Sequence, residues 1–275
     1  MRFIARILNK IAILFIAGIM ILGYGMVIEP NLLRINSMET GTLTKGKFRV
    51  VQFSDTHLDN NYTIKDLEKL VRIINLQEPD IIVFTGDLID SVDDSRYPEH
   101  ALETLGRLDA RLGKVAVFGN HDYGSQGYRY YREMMEAAGF EVLANEAVRY
   151  DAGGGMIVNV AGLDDALLGT PDHKKVSGLL TRKYFDILVM HEPDEIGHFE
   201  QDSYELALAG HSHGGQIRLP FIGEISTPPL AKEYVRGMYE MGDGRKLYVS
   251  SGIGTTTIPV RLMNIPEIAV IDVKI

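Results

Sequence analysis

Five short apolar runs in the sequence end in residues that bind metal ions. They are VVQFSDTH (50–57), IIVFTGD (81–87), VAVFGNHD (115–122), DILVMH (186–191) and LALAGHSH (206–213). Runs of this length, bounded by glycines and turn residues, predict buried strands. The loops at strand ends of an α/β sheet gather to build sites, so we expect these ends to converge. The candidate ligands are Asp55, His57, Asp87, Asn120, His191, His211 and His213.

These donors predict a site for transition metals. The chain has no cysteine, so nitrogen and oxygen atoms must hold any ion. Alternation along an extended chain would point Asp55 and His57 to one side, and likewise His211 and His213. Mixed nitrogen and oxygen ligation favours Mn²⁺, Fe or Zn²⁺ over Mg²⁺, which prefers oxygen ligands.

Each candidate also has a structural interpretation. Asp87 would serve equally as a helix cap, Asn120 as a turn residue and His191 as a hydrogen-bonded core histidine. Asp164 and Asp165, after another apolar run, either orient a ligand histidine or hold a turn. The joint occurrence of ligand types at five strand ends favours the metal site.

The elements between these motifs alternate in type. FRVVQF (48–53) predicts a strand, and 63–77 predicts a helix that Thr63 and Asp66 would cap. Further helices are predicted near 98–111 and 127–138, and the second half is rich in strands, with a hairpin at 235–252. This order predicts a layered α/β fold in which a second sheet stacks against the first.

The first thirty residues form a separate unit. Residues 11–28 carry no charge, and the length of this segment is near the lower limit for a helix that spans a bilayer. Arg2, Arg6 and Lys10 precede it. The positive flank predicts a cell-membrane anchor with a cytoplasmic N-terminus and an extracytoplasmic catalytic domain. A cleaved signal peptide, a buried helix or an in-plane anchor are the alternatives.

Domain organisation and charge limit the partners. We predict an anchor or uncleaved signal at 1–30, a polar connector at 31–46 and one domain at 47–275. The net charge of −9 argues against nucleic acid, which requires a basic surface.

The motifs SDTH (54–57), GD (86–87), GNHD (119–122), VMHEP (189–193) and GHSHGGQ (210–216) together resemble the calcineurin-like metallophosphoesterases. The resemblance covers about residues 47–275. The apolar N-terminus, GLDD (162–165) and IPVRLMNIPEIAVI (258–271) further resemble a membrane-associated bacterial branch related to UDP-2,3-diacylglucosamine hydrolases.

This resemblance implies a four-layer αββα sandwich of two mixed sheets flanked by helices, here with an N-terminal hydrophobic helix. It assigns Asp55, His57 and His213 to one metal ion, Asn120, His191 and His211 to a second, and Asp87 to a bridge between them. It also implies that His121 faces the substrate phosphate, with Asp122 as its orienting partner.

The implied function is a dinuclear metal-dependent phosphoesterase. Two cations roughly 3.5–4 Å apart neutralise phosphate charge and generate hydroxide for attack on a phosphomonoester, phosphodiester or pyrophosphate. The anchor predicts a membrane- or envelope-associated substrate. A lipid-linked nucleotide sugar would require a cytoplasmic site, which conflicts with the predicted orientation. The alternative function is a non-catalytic, membrane-anchored metal-binding scaffold.

Overall fold

The computed structural model describes residues 2–41, 46–58, 61–89, 98–124, 127–199 and 203–275. The helices are α1 (Arg2–Gly23), α2 (Ile64–Asn75), α3 (Pro98–Leu105), α4 (Asn120–Tyr123), α5 (Gly127–Ala137) and α6 (His173–Leu179). The first strands are β1 (Arg34–Gly41), β2 (Lys47–Phe53), β3 (Ile81–Phe84), β4 (Gly113–Ala116), β5 (Phe140–Val142), β6 (Glu146–Gly153) and β7 (Met156–Gly162). The remaining strands are β8 (Phe185–Val189), β9 (Leu206–Ala209), β10 (Arg218–Leu219), β11 (Gly223–Glu224), β12 (Gly237–Glu240), β13 (Lys246–Val249) and β14 (Glu267–Lys274).

Two six-stranded mixed sheets form the centre of the fold. The first has the order β1-β14-β2-β3-β4-β5, and its one antiparallel pair joins β14 to β2. The second has the order β12-β13-β9-β8-β7-β6, with antiparallel pairs at its two edges. Their inner strands are parallel, so the carboxyl ends of neighbouring strands meet at one edge of each sheet.

Successive side chains along each strand point to opposite faces of its sheet, and together they form three apolar layers. Val50 of β2 packs between the sheets against residues such as Val160, whereas its neighbour Val51 faces α2, α3 and α5. Leu188 of β8 faces the opposite side, towards α6. Helices therefore cover both outer faces, and the predicted four-layer αββα sandwich is confirmed.

Helix α2 shows how local sequence sets an element. Thr63 and Asp66 form the predicted capping box, and the apolar stripe ending at Ile74 is buried on the first sheet. Helix α3 ends at Leu105, six residues before the predicted end.

The prediction of a connector over 31–46 is wrong for residues 34–41. They form β1, which pairs in parallel with β14 from Arg34–Glu267 to Gly41–Lys274. The segment is an edge strand, and most of its side chains are exposed and polar. It therefore lacks the apolar pattern by which the inner strands are predicted. Residues 42–45 lie outside the described part of the chain.

Helix α1 has exposed side chains and continues through short turns to Asn31 as one candidate span with a hydropathy of 2.6. Its end contacts the domain directly. The backbone N–H of Arg261 donates to Gly25 O at 2.9 Å, and the buried Glu29 carboxylate accepts a hydrogen bond from the N–H of Asn264. Residues 25–41 therefore belong to the folded domain.

Candidate metal centre

The five predicted strand ends, three from the first sheet and two from the second, meet at one place. Asp55 and His57 follow β2, Asp87 follows β3, Asn120 and His121 begin α4 after β4, His191 follows β8, and His211 and His213 follow β9. All of the predicted carboxylate and imidazole ligands are buried.

The side chains form two clusters, and within each cluster the ligand atoms lie within 4.8 Å of one another. The first cluster contains Asp55, His57 and His213. Its two imidazoles point their Nε2 atoms at each other, 3.0 Å apart, and His213 Nε2 lies 3.6 Å from Asp55 Oδ1. Three donors thus converge on one point.

The second cluster contains Asp87, His191 and His211. His211 Nδ1 lies 3.1 Å from His191 Nε2, which lies 3.2 Å from Asp87 Oδ2. The same Asp87 oxygen is 3.5 Å from His57 Nε2 in the first cluster. One carboxylate oxygen therefore stands between the two clusters.

Backbone carbonyls fix the rings of the second cluster. His191 Nδ1 lies 2.6 Å from Thr85 O, and His211 Nε2 lies 2.9 Å from Pro229 O. Since a carbonyl only accepts, each of these nitrogens carries the proton, and the other ring nitrogen presents its lone pair to the cluster.

Buried polar atoms and neutral imidazoles fit a cation. Asn120 Oδ1 is buried and finds no hydrogen-bond partner among the described residues. Burial lowers the pKa of His211 to about 4, and burial holds the pKa of His213 well below its usual range. Both imidazoles are consequently neutral near pH 7 and able to coordinate.

Five of the seven predicted ligands lie on left-handed backbone. Asp55, His57, Asp87, His211 and His213 have φ values between 43° and 66°. The predicted extended alternation in these motifs is therefore wrong, because turns and not pleats aim the side chains. Each such residue costs roughly 1–3 kcal/mol, which surrounding structure must offset.

Close packing of glycines against ligands supports these turns. A Cβ on Gly119 would overlap Asp87 Oδ1, and one on Gly86, at φ +93°, would approach His191 Nδ1 to 2.8 Å. The glycines in GD and GNHD allow two ligand loops to touch.

The prediction that Asp122 orients His121 stays a prediction, and the structure shows a further role for the Asp122 carboxylate. Asp122 is buried, and its carboxylate accepts hydrogen bonds from the N–H groups of Asp87, Leu88 and Gly119 at 2.8–2.9 Å. Burial and the charge of Asp87 raise its pKa to about 7. Asp122 thus ties the loop after β3 to the loop after β4.

His121 stands at the boundary between the centre and an open cavity. Its backbone N–H donates to Asp87 Oδ1 at 2.9 Å, and its ring meets the ring of His57 edge-on at 4.7 Å. The cavity, about 490 Å³, is lined by His121 together with Asn120, His211 and His213. A group bound in this cavity therefore contacts His121 and the centre together.

Sequence reasoning missed Asn264, which holds the loop after β9, and Arg261, which holds the segment after β13. The side chain of Asn264 donates to His213 O, and the fully buried Arg261 donates to the carbonyls of Ser251 and Gly254. Both lie in the IPVRLMN segment, where they follow no strand end. Asp164 and Asp165 accept hydrogen bonds from backbone N–H groups of residues 165–170, as turn residues do.

Comparison with known proteins matches this geometry. A profile described as Calcineurin-like phosphoesterase matches residues 48–215. An uncharacterized metallophosphoesterase, YkuE of Bacillus subtilis, is 39% identical over 92% of this chain and 89% of its own length. A transmembrane protein with metallophosphoesterase domain from Danio rerio is 31% identical over 82% of this chain and 53% of its own. The UDP-2,3-diacylglucosamine pyrophosphatase LpxG of Chlamydia trachomatis is 27% identical over 88% and 89% respectively.

Proposed function

Because the chain belongs to the calcineurin-like phosphoesterase family and is a metal-dependent phosphohydrolase, we propose that it hydrolyses a membrane- or envelope-associated phosphoester at a dinuclear centre. One observation carries the proposal: Asp87 Oδ2 lies within 3.5 Å of imidazole nitrogens from both clusters. A carboxylate in this position suits a bridge between two cations.

The proposed ligands divide by cluster. Asp55, His57 and His213 hold one ion, and Asn120, His191 and His211 hold the other. The division is supported by the convergence of the first three and by the buried Oδ1 of Asn120, for which the described part of the chain offers no hydrogen-bond partner. The nitrogen-rich donor set favours Mn²⁺, Zn²⁺ or Fe.

The ions, when bound, neutralise phosphate charge and activate water for attack on phosphorus. The chain positions the ester and supplies the proton. His121 lines the cavity beside Asp87, so a ring nitrogen of His121 is placed to protonate the leaving oxygen. Asp122 acts indirectly, by holding the loops that carry Asp87 and Asn120.

The proposed substrate is a phosphomonoester, phosphodiester or pyrophosphate attached to lipid or envelope material. Support comes from the exposed apolar helix α1 and from the relative named as a UDP-2,3-diacylglucosamine pyrophosphatase. The positive N-terminal flank favours an extracytoplasmic domain. Protease added to intact cells should then digest the domain, and protection of the domain would reverse this orientation.

The direct test uses the purified full chain in detergent, loaded with Mn²⁺ or Zn²⁺. We expect release of p-nitrophenol from its mono- or bis-ester with phosphate, together with two ions per chain by elemental analysis. Two bound ions without turnover of either ester would favour the alternative, a non-catalytic metal-binding scaffold.

A further inference from the structure

The hairpin formed by β10 and β11 ends in exposed hydrophobic side chains. Phe221 is fully exposed at its tip, and its neighbour Ile222 is 73% exposed. Ile225, Ile258 and Met263 add exposed apolar surface. We call these five residues the apolar rim. Single exposed hydrophobic residues are ordinary, but several that gather in one place indicate a contact surface.

Hydrogen bonds connect the rim to the end of helix α1. Arg218 N donates to Leu262 O at 2.9 Å, and Leu262 N donates to Gln216 O at 3.1 Å, so the hairpin base lies beside residue 262. The next residue back, Arg261, donates to Gly25 O. Neighbouring hydrogen-bonded backbone segments lie about 4.8 Å apart. The base of the hairpin is therefore separated from the end of the anchor by one intervening segment, residues 261–262.

The end of the anchor is hydrogen-bonded to this part of the domain. Arg261 is fully buried and donates to the carbonyls of Gly254, Ser251 and Asn264, while Glu29 accepts from Asn264. If α1 crosses a bilayer, the rim has little freedom to leave the bilayer surface. Under the membrane anchoring of the proposed function, a lipid surface is the occupant that α1 brings to this position.

One arginine lies beside the apolar rim. The guanidinium of Arg236 donates to Met263 O, whereas Arg34, which follows the anchor, is paired with Glu267. Apolar side chains that enter the acyl boundary beside arginines at the headgroups are typical of membrane-surface elements.

The rim also forms part of the catalytic cavity. Ile225 and Ile258 line it together with Ile217, Pro228 and Pro229, and His121, His211 and His213 line the same cavity. The cavity therefore joins metal-binding side chains to apolar side chains that belong to the rim.

We infer that the β10–β11 hairpin inserts into the outer part of the bilayer that holds α1, so that the cavity opens onto the lipid headgroups. The substrate class is then a phosphorylated amphiphile that keeps its apolar portion along Ile225 and Ile258 while its phosphate reaches the centre. This inference rests on the membrane anchoring in the proposed function.

The absence of cysteine allows the contact to be tested with single labels. Full-length variants Phe221→Cys, Ile222→Cys, Leu76→Cys and Phe15→Cys carry an environment-sensitive fluorophore in phosphatidylethanolamine and phosphatidylglycerol vesicles. Leu76, 78% exposed at the end of α2, is the matched control for an exposed apolar residue, and Phe15 reports on the anchor.

We expect doxyl groups near the lipid headgroups to quench labels at 221 and 222, with blue-shifted emission and several-fold less quenching by aqueous iodide than at 76. Labels at 221 and 222 that respond to iodide as the label at 76 does would overturn the inference. A blue shift that depends on protein concentration and ignores lipid quenchers would also overturn it, in favour of contact between copies. Failure of lipid to quench the label at 15 would instead refute the membrane anchoring itself.

Discussion

The two ligand clusters use the same residue types but hold them differently. In the second cluster, both imidazoles are fixed by backbone carbonyls, His191 by Thr85 and His211 by Pro229. In the first, Nδ1 of His213 is buried without a partner among the described residues. The second cluster is thus oriented by the fold, whereas an ion must complete the orientation of His213.

This difference predicts unequal metal affinities. A carbonyl partner fixes the tautomer and the ring angle and raises the basicity of the ligating nitrogen. Loss of such a partner typically weakens metal binding about 10–100-fold. We therefore expect the second cluster to retain its ion more tightly than the first.

The largest effect should follow from removing what the clusters share. Asp87→Ala deletes the carboxylate between them, and we expect loss of both ions and about 10⁴-fold lower phosphodiesterase activity, because both ions contribute several kcal/mol. Elemental analysis and turnover of the bis-ester measure this. Asp109→Ala, at an exposed aspartate, is the control. One ion retained at full affinity would show that the clusters are independent.

The next effect concerns His121, whose ring atoms lie within 4.8 Å of ligand atoms in His57 and Asp87. If His121 donates a proton and does not coordinate, metal binding does not require its side chain. His121→Ala should then keep two ions while activity falls about 10²–10⁴-fold. The exposed His100, changed to Ala, is the matched control. Loss of the more weakly held ion would make His121 a ligand of the first cluster.

Chelator titration measures the difference between clusters directly. We expect two phases of Mn²⁺ removal separated by about 10–100-fold in dissociation constant. The variant His213→Ala should lack the weaker phase, and His211→Ala the tighter one. The reverse assignment, or a single phase in the unmodified chain, would contradict the role given to the carbonyl partners.

The smallest effect is expected at Asn264, which supports the first cluster through His213 O. Asn264→Ala leaves buried groups unpaired, so we expect a loss of about 1–3 kcal/mol in unfolding free energy. The weaker metal phase should weaken further while the tighter phase stays unchanged. Guanidinium unfolding and the chelator titration report both quantities, with the half-buried Asn75→Ala as control. Equal weakening of both phases would assign Asn264 a general structural role.

The motifs predicted much of this centre because strand ends are visible in sequence. Apolar runs such as 81–84 mark buried strands, and parallel strands bring their ends together. The edge strand 34–41 escaped prediction, since an exposed edge has no apolar run to mark it.

Other parts of the centre leave no residue-type signal. The carbonyls of Thr85 and Pro229 fix two imidazoles, but every residue carries a carbonyl, so only the fold identifies them. The same applies to Asp122, whose partners are backbone N–H groups brought together by two loops. Positive φ at His211 and His213 was likewise decided by tertiary packing.

The hydrogen bonds at Gly25 and Glu29 determine where the chain tolerates proteolytic release. A cut after Glu29 would remove the acceptors for Arg261 and Asn264, and Asn264 supports the loop of His213. A cut before Gly25, within the exposed helix, spares both acceptors. A shed or recombinant soluble form that keeps its metal centre intact should therefore begin upstream of Gly25.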